Sequence, residues 1–244
     1  MPAFLSLSVL CQIICVIHAH RTDRRDWIWI ILIFSLVGCA FYFFLEMLPD
    51  LRNSRTGRRV VKDVLKAIDP TMTLKQRARA LSISDNVQNK LNLADECIVH
   101  QSYPEAAELY RSCLTGIYKD DPKILLSLAQ TLFFMGEFAN TKQTLDRLIA
   151  TNPDFKSQDG HLLYARALEQ LGDTALAIDE YQVLASYYSG YEAKCRYGLL
   201  LKRLGRTEQA RAIFAEIGTL ASNLSKGQRK LQKEWIDIAR ENMS

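Results

Sequence analysis

The chain has 244 residues, a formal net charge of +4 and 48% apolar residues, which excludes an intrinsically disordered polymer and permits a sizeable core. Residues 1–50 carry three basic and four acidic groups, residues 51–85 nine and three, and residues 86–244 nineteen and twenty. The excess charge therefore sits in one short middle stretch, a distribution that argues against a general nucleic-acid binder. Cys11, Cys15, Cys39, Cys97, Cys113 and Cys195 form no CxxC pair and no zinc spacing, so they read as reduced thiols packing as small hydrophobes, with no metal site.

In chain order, Phe4 to Ile17 is apolar but short and is interrupted by Gln12. After a polar connection, Trp27 to Leu45 runs 19 residues without a charge, about 28 Å of helix at 1.5 Å per residue and enough to span a bilayer. Trp27, Trp29 and Tyr42 stand where amphipathic rings prefer the interfaces. The pattern predicts a transmembrane helical hairpin within residues 1–50, its second helix covering about 27–48, with His18 and His20 in a solvated loop. No basic stretch precedes the first apolar run, which disfavours a cleaved signal peptide. Leu36-Val37-Gly38-Cys39 reads like a lipoprotein cleavage box, but apolar sequence continues beyond it.

Arg21, Arg24 and Arg25 flank the second helix on one side; Arg52, Arg55, Arg58, Arg59, Lys62 and Lys66 follow it on the other. Six against three predicts the C-terminal part in the cytoplasm, and the expected location is a bacterial inner membrane. The same six residues are candidate lipid-headgroup contacts, because Val60, Val61, Val64, Leu65 and Ile68 share one face of an amphipathic helix over 59–68 that can lie on a membrane surface. Its other reading is packing on the first repeat. Thr73 with Gln76, and Asp85 with Gln88, read as caps of two further helices, so that residues 51–85 form a basic linker.

The segments HAHRTDRRDW, WIWIILIFSLVG and FYFFLE, running into Pro49-Asp50-Leu51-Arg52, resemble the N-terminal membrane region of cardiolipin synthases and related phospholipase D proteins. The resemblance implies an anchor. That family's chemistry lies in two His-x-Lys-x4-Asp motifs, and here none of His18, His20, His100 and His161 has a lysine two places on.

The rest is repetitive. Gln101, Gly136, Gly172 and Gly205 stand 35, 36 and 33 residues apart. Seven places before each marker is Ala94, Ala129, Ala165 or Gly198, and four before is Cys97, Leu132, Leu168 or Leu201. Five after come Ala106, Thr141, Ala177 and Ala210; nine after, Tyr110, Leu145, Tyr181 and Phe214; twelve after, Cys113, Leu148, Leu184 and Ile217. Small and large residues at fixed offsets predict a helix, a tight turn at the marker and an antiparallel second helix, repeated four times. The pattern resembles tetratricopeptide repeats. The expectation is an all-α chain: the membrane hairpin, an α-solenoid of about four repeats over 86–222, and a capping helix over 223–244 with Leu231, Trp235 and Ile238 on one face.

No P-loop, dinucleotide fingerprint, metalloprotease helix or nucleophile elbow occurs, so neither a catalytic residue nor a cofactor is expected. The resemblance to tetratricopeptide arrays implies a concave groove for a protein partner, and it places Asn92, Asp95, Gln130, Phe133, Phe134, Arg166, Glu169, Arg196 and Lys202 near it. The lysine and asparagine set by which chaperone-type members hold a terminal carboxylate is absent from the matching positions. The expected function is a membrane-anchored interaction scaffold; the alternative is an accessory subunit of a phospholipid-synthesis or envelope-assembly complex.

Overall fold

The computed structural model describes residues 12–13, 15–21, 26–47 and 71–243, and the chain divides into two units, residues 1–75 and 76–244. In the first unit α1 (Asp26–Tyr42) is followed by a π-helical stretch, Phe43–Met47. On a straight helix Trp27 and Tyr42 would stand about 22 Å apart, yet their ring centroids are 5.6 Å apart. A Cβ on Gly38 would meet the Ile30 carbonyl oxygen at 2.6 Å. The apolar run therefore folds back on itself, burying Cys15, Ala19, Ile31, Cys39 and Tyr42 together.

The expected membrane hairpin is not shown by this arrangement. Among the described residues no helix is long and apolar enough to cross a membrane. His18 departs from the expected solvated loop: it is helical and half-buried, with its Nδ1 2.9 Å from the Tyr42 hydroxyl. Arg52, Arg55, Arg58, Arg59, Lys62 and Lys66, and the amphipathic helix of 59–68, lie outside the described residues.

The second unit opens with the end of α2 (Met72–Ile83), none of whose residues is buried. Thr73 already lies inside this helix, so it is not the expected cap. The next cap is Asn86 rather than Asp85, its side chain accepting from the Asn89 amide at 2.9 Å. Four helix pairs follow: α3 (Val87–Val99) with α4 (Tyr103–Cys113), α5 (Pro122–Phe134) with α6 (Phe138–Thr151), α7 (Gln158–Leu171) with α8 (Thr174–Tyr187), and α9 (Glu192–Arg203) with α10 (Thr207–Ser222). Asp121 and Ser157 cap α5 and α7 by accepting from backbone amides of the first turn. Each second helix packs on its own first helix and on the next one, which makes a helical solenoid.

The marker residues explain the pairing. Gln101, Gly136, Gly172 and Gly205 all take positive φ, at 59°, 77°, 83° and 76°, the left-handed conformation that ends one helix and reverses the chain into the next. Every small or large residue expected at the offsets of −7, −4, +5, +9 and +12 is buried. Thr141 stands where the other repeats have alanine, and its hydroxyl is satisfied by donating to the Glu137 carbonyl at 2.9 Å.

Gln101 alone among the four markers carries a Cβ into the left-handed region, a strain of about 1 kcal/mol. Gln101→Gly is therefore expected to stabilise the repeats by up to about 1 kcal/mol, read as a rise in the urea midpoint of the helical circular dichroism signal. An unchanged or lower midpoint would refute the strain.

The C-terminal cap differs from the expected single helix. It comprises α11 (Lys226–Leu231), opened by a reciprocal Ser225–Gln228 capping box, and α12 (Lys233–Glu241). The break falls at Gln232, whose Oε1 accepts from the Tyr191 amide at 3.0 Å. This turns Leu231 outward, 82% exposed, while Ile236 and Ala239 go inside. α12 packs on α9 and α10, with Ala239, Trp235 and Ile238 closing the last core cluster.

Candidate partner-binding groove

The first helices α3, α5, α7 and α9 present one face on which three hollows lie side by side. The first, of about 230 Å³, is lined by Asp95, Gln130, Phe134 and Tyr110 among others. The second, of about 290 Å³, takes in Gln130, Phe133, Phe134, Asp159, Arg166 and Glu192. The third, of about 360 Å³, takes in Phe133, Phe134, Arg166, Glu169, Gln170 and Arg196. Phe134 borders all three and is 56% exposed, its ring stacked on Tyr103 at 5.3 Å. An exposed phenyl held by a stacked neighbour is a rigid apolar contact that costs little ordering when covered.

Seven of the nine expected residues thus come together. Asn92 and Lys202 do not line these hollows: Asn92 accepts from the Gln88 side chain at 3.2 Å, and the Lys202 ammonium donates to the side chain of Asn242, near the C-terminus, at 2.9 Å.

The charges in the groove are mostly engaged. Tyr110 donates to Asp95 at 2.5 Å, and Tyr181 donates to Glu169 at 2.7 Å. Burial, followed by these carboxylates, pushes both phenols well above the ordinary range. Glu169 also accepts from Arg203 at 2.7 Å. Arg196 donates to Glu192 at 2.8 Å and lies 5.0 Å from the Trp235 ring. Arg166 lies 4.5 Å over the Phe133 ring. Burial, then Arg196, draw its guanidinium below its ordinary value.

Residues 159–190 and 191–223 each match a family model described as tetratricopeptide repeat. Residues 159–223 are thus similar to two successive tetratricopeptide repeats. Among solved structures, MamA of AMB-1 is 17% identical with a TM-score of 0.51, covering 68% of this chain and 96% of that one. TTC0263, a thermophilic TPR protein in Thermus thermophilus, is 14% identical with a TM-score of 0.50, covering 75% and 94%. At such identities the likeness is one of fold. The comparison with curated proteins gives no match.

The tetratricopeptide pairs α7–α8 and α9–α10 coincide with the two matched segments, and α3–α4 and α5–α6 repeat their turn and core. A larger hollow, missed in the sequence, lies between α6, α7 and α8: about 940 Å³, lined by Leu145, Leu148, Phe155, His161, Tyr164 and Tyr187 among others. Residues 155–157 of the 152–157 connection border it, and the unit it belongs to has the longest marker spacing, 36 residues from Gly136 to Gly172. Several of its polar groups are engaged. His161 is 2.5 Å from both Tyr187 and Glu180, and Asp146 holds Tyr164 and Lys142, each at 2.9 Å. Cys97, Cys113 and Cys195 are buried in the repeat cores; burial pushes the Cys195 thiol up to about 11. Among the described residues no group of three or more His, Cys, Asp or Glu could hold a metal ion.

Proposed function

We propose that the chain is a membrane-tethered scaffold whose first-helix groove holds a segment of a protein partner, with no catalytic centre of its own. The observation that carries the groove is the convergence of three hollows on the exposed, stacked Phe134, with Arg166 beside it. Interface energy concentrates at such aromatic and arginine positions, at about 2 kcal/mol or more for each truncation. Phe134→Ala and Arg166→Ala are expected to weaken partner capture from detergent-solubilised membranes by about 30-fold each, with helical content unchanged. Full capture by both variants would refute the groove.

The tether is supported by the uncharged 19-residue run and by exposed apolar side chains in the N-terminal unit: Trp29 (70% exposed), Val37, Phe41, Phe44 and Leu45. An apolar surface of this kind suits lipid better than water. The basic residues 52–66 then meet anionic headgroups, and the repeats face the cytoplasm of a bacterial inner membrane. The chain is expected to stay with membranes after carbonate extraction; recovery in the soluble fraction would refute the tether. The accessory-subunit reading rests on the cardiolipin synthase-like residues of the N-terminus. Co-purification with a phospholipid-synthesising enzyme would favour it.

A further inference from the structure

The hollow between α6, α7 and α8 shares no lining residue with the three hollows of the groove. At about 940 Å³ it has the volume of a small-molecule site, and Leu145, Leu148, Phe155 and Tyr164 give it a largely apolar wall. Two sets of polar side chains border it. In the first, Tyr164 donates to Asp146 at 2.9 Å, and the Lys142 ammonium donates to the same carboxylate at 2.9 Å while lying 5.7 Å from the centre of the Tyr164 ring. An acid and a phenol together hold an ammonium there.

The second set has the acid and the phenol without the ammonium. His161 stands 2.5 Å from both Glu180 and Tyr187. It is the ion-pair partner of Glu180 among the described residues, and it offsets the carboxylate only when protonated. A carboxylate can only accept, so in the neutral ring Nε2–H donates to Glu180, Nδ1 is left to accept, and the Tyr187 hydroxyl donates to it. Burial, then the Glu180 charge, hold the Tyr187 phenol above its ordinary range, which keeps that proton in place. Tyr164 and Tyr187 both spend their protons on neighbouring side chains, and their oxygens are left as acceptors.

We infer that this hollow binds a small molecule with an apolar body and one protonated amine, whose ammonium donates to Glu180 beside the Tyr187 ring as the Lys142 ammonium donates to Asp146 beside Tyr164. The carboxylate has lone pairs beyond the one that His161 occupies, so the ligand does not displace the imidazole. The Glu180 side chain is 34% exposed, and a charge so placed is screened less than one on the open surface. Lys156, the one lysine or arginine in the lining, is exposed on the connection from α6 to α7, where water screens it. An anionic head would face both Asp146 and Glu180, and a neutral alcohol would gain nothing from either charge. This site goes beyond the scaffold reading and does not depend on the groove.

The test uses the full chain in detergent micelles and three probes on one skeleton: naphthylpropylamine, the matching alcohol and the matching carboxylic acid. Affinities are read by ligand-observed NMR titration, with binding to empty micelles subtracted. The amine is expected to bind at least about tenfold more tightly than the alcohol, and the acid more weakly than either. Glu180→Gln keeps an acceptor for His161 but removes the charge, and should bring the amine to within about twofold of the alcohol. Ala150→Trp sets an indole at the exposed edge of the lining and should weaken amine and alcohol alike by at least about tenfold. Phe134→Ala, in the groove, should change neither. Equal binding of amine and alcohol, tighter binding of the acid, a ratio unmoved by Glu180→Gln, affinities unmoved by Ala150→Trp, loss of binding in Phe134→Ala, or no binding by any probe would overturn the inference. Helical circular dichroism checks each variant; should Glu180→Gln fail to fold, the unsubstituted chain's amine-to-alcohol ratio and Ala150→Trp still decide.

Discussion

Phe214→Ala is expected to destabilise the repeat segment by about 3–5 kcal/mol, the range for deleting a buried phenyl. Phe214 is fully buried among Cys195, Leu201, Ala210, Ile217 and Ala239. It sits so close to Gly198 that a Cβ there would meet its ring at 2.8 Å, which is why the small position of the last repeat is glycine and not alanine. The ring joins α9, α10 and α12, and in a solenoid each unit is held only by its neighbours. The cap should therefore loosen together with the last repeat. Urea unfolding of residues 86–244, followed by helical circular dichroism, measures the effect; a loss below about 1 kcal/mol would mean that the site collapses around the deletion.

Ala177→Trp is expected to cost at least about 1–3 kcal/mol, by overpacking rather than by emptying. Ala177 is completely buried between Leu162, Ala165, Leu168, Tyr181 and Leu184, at the offset where α7 and α8 come closest. An indole has no room there unless the pair separates. Ala175→Trp, on the exposed side of the same helix, is the control and should stay within about 0.5 kcal/mol. A neutral Ala177→Trp would contradict the packing.

The repeat core was legible because close helix pairing imposes steric requirements at fixed spacing: a small residue lets two backbones approach and a large one fills the gap beside it. The second helix after each marker followed from the same constraint. The N-terminal fold was not legible in this way. A run such as WIWIILIFSLVG is apolar on every side and has no period that marks a buried face, so only its length speaks for a span. The break in the cap was hidden because it is made by Gln232 reaching Tyr191, 41 residues away in sequence. In the groove, residue type and helical face located Phe134 and Arg166. They did not show that Asp95 and Glu169 are occupied by buried tyrosines.

That occupation had a trace in the sequence. Tyr110 and Tyr181 share one repeat position, and each of their repeats carries an acid on the first helix, Asp95 or Glu169, to receive the phenol. The repeats with Leu145 and Phe214 at that position have Gln130 and Phe133, or Leu199 and Lys202, at the two corresponding places. The helix pairs are consequently of two kinds that are not interchangeable. Joining α5 to α8 would put Phe133 where Glu169 receives the Tyr181 hydroxyl, and joining α7 to α6 would leave Glu169 without its phenol. Duplication or shuffling within this chain has to move whole pairs, so the heritable module is the tyrosine with its acid rather than the single helix.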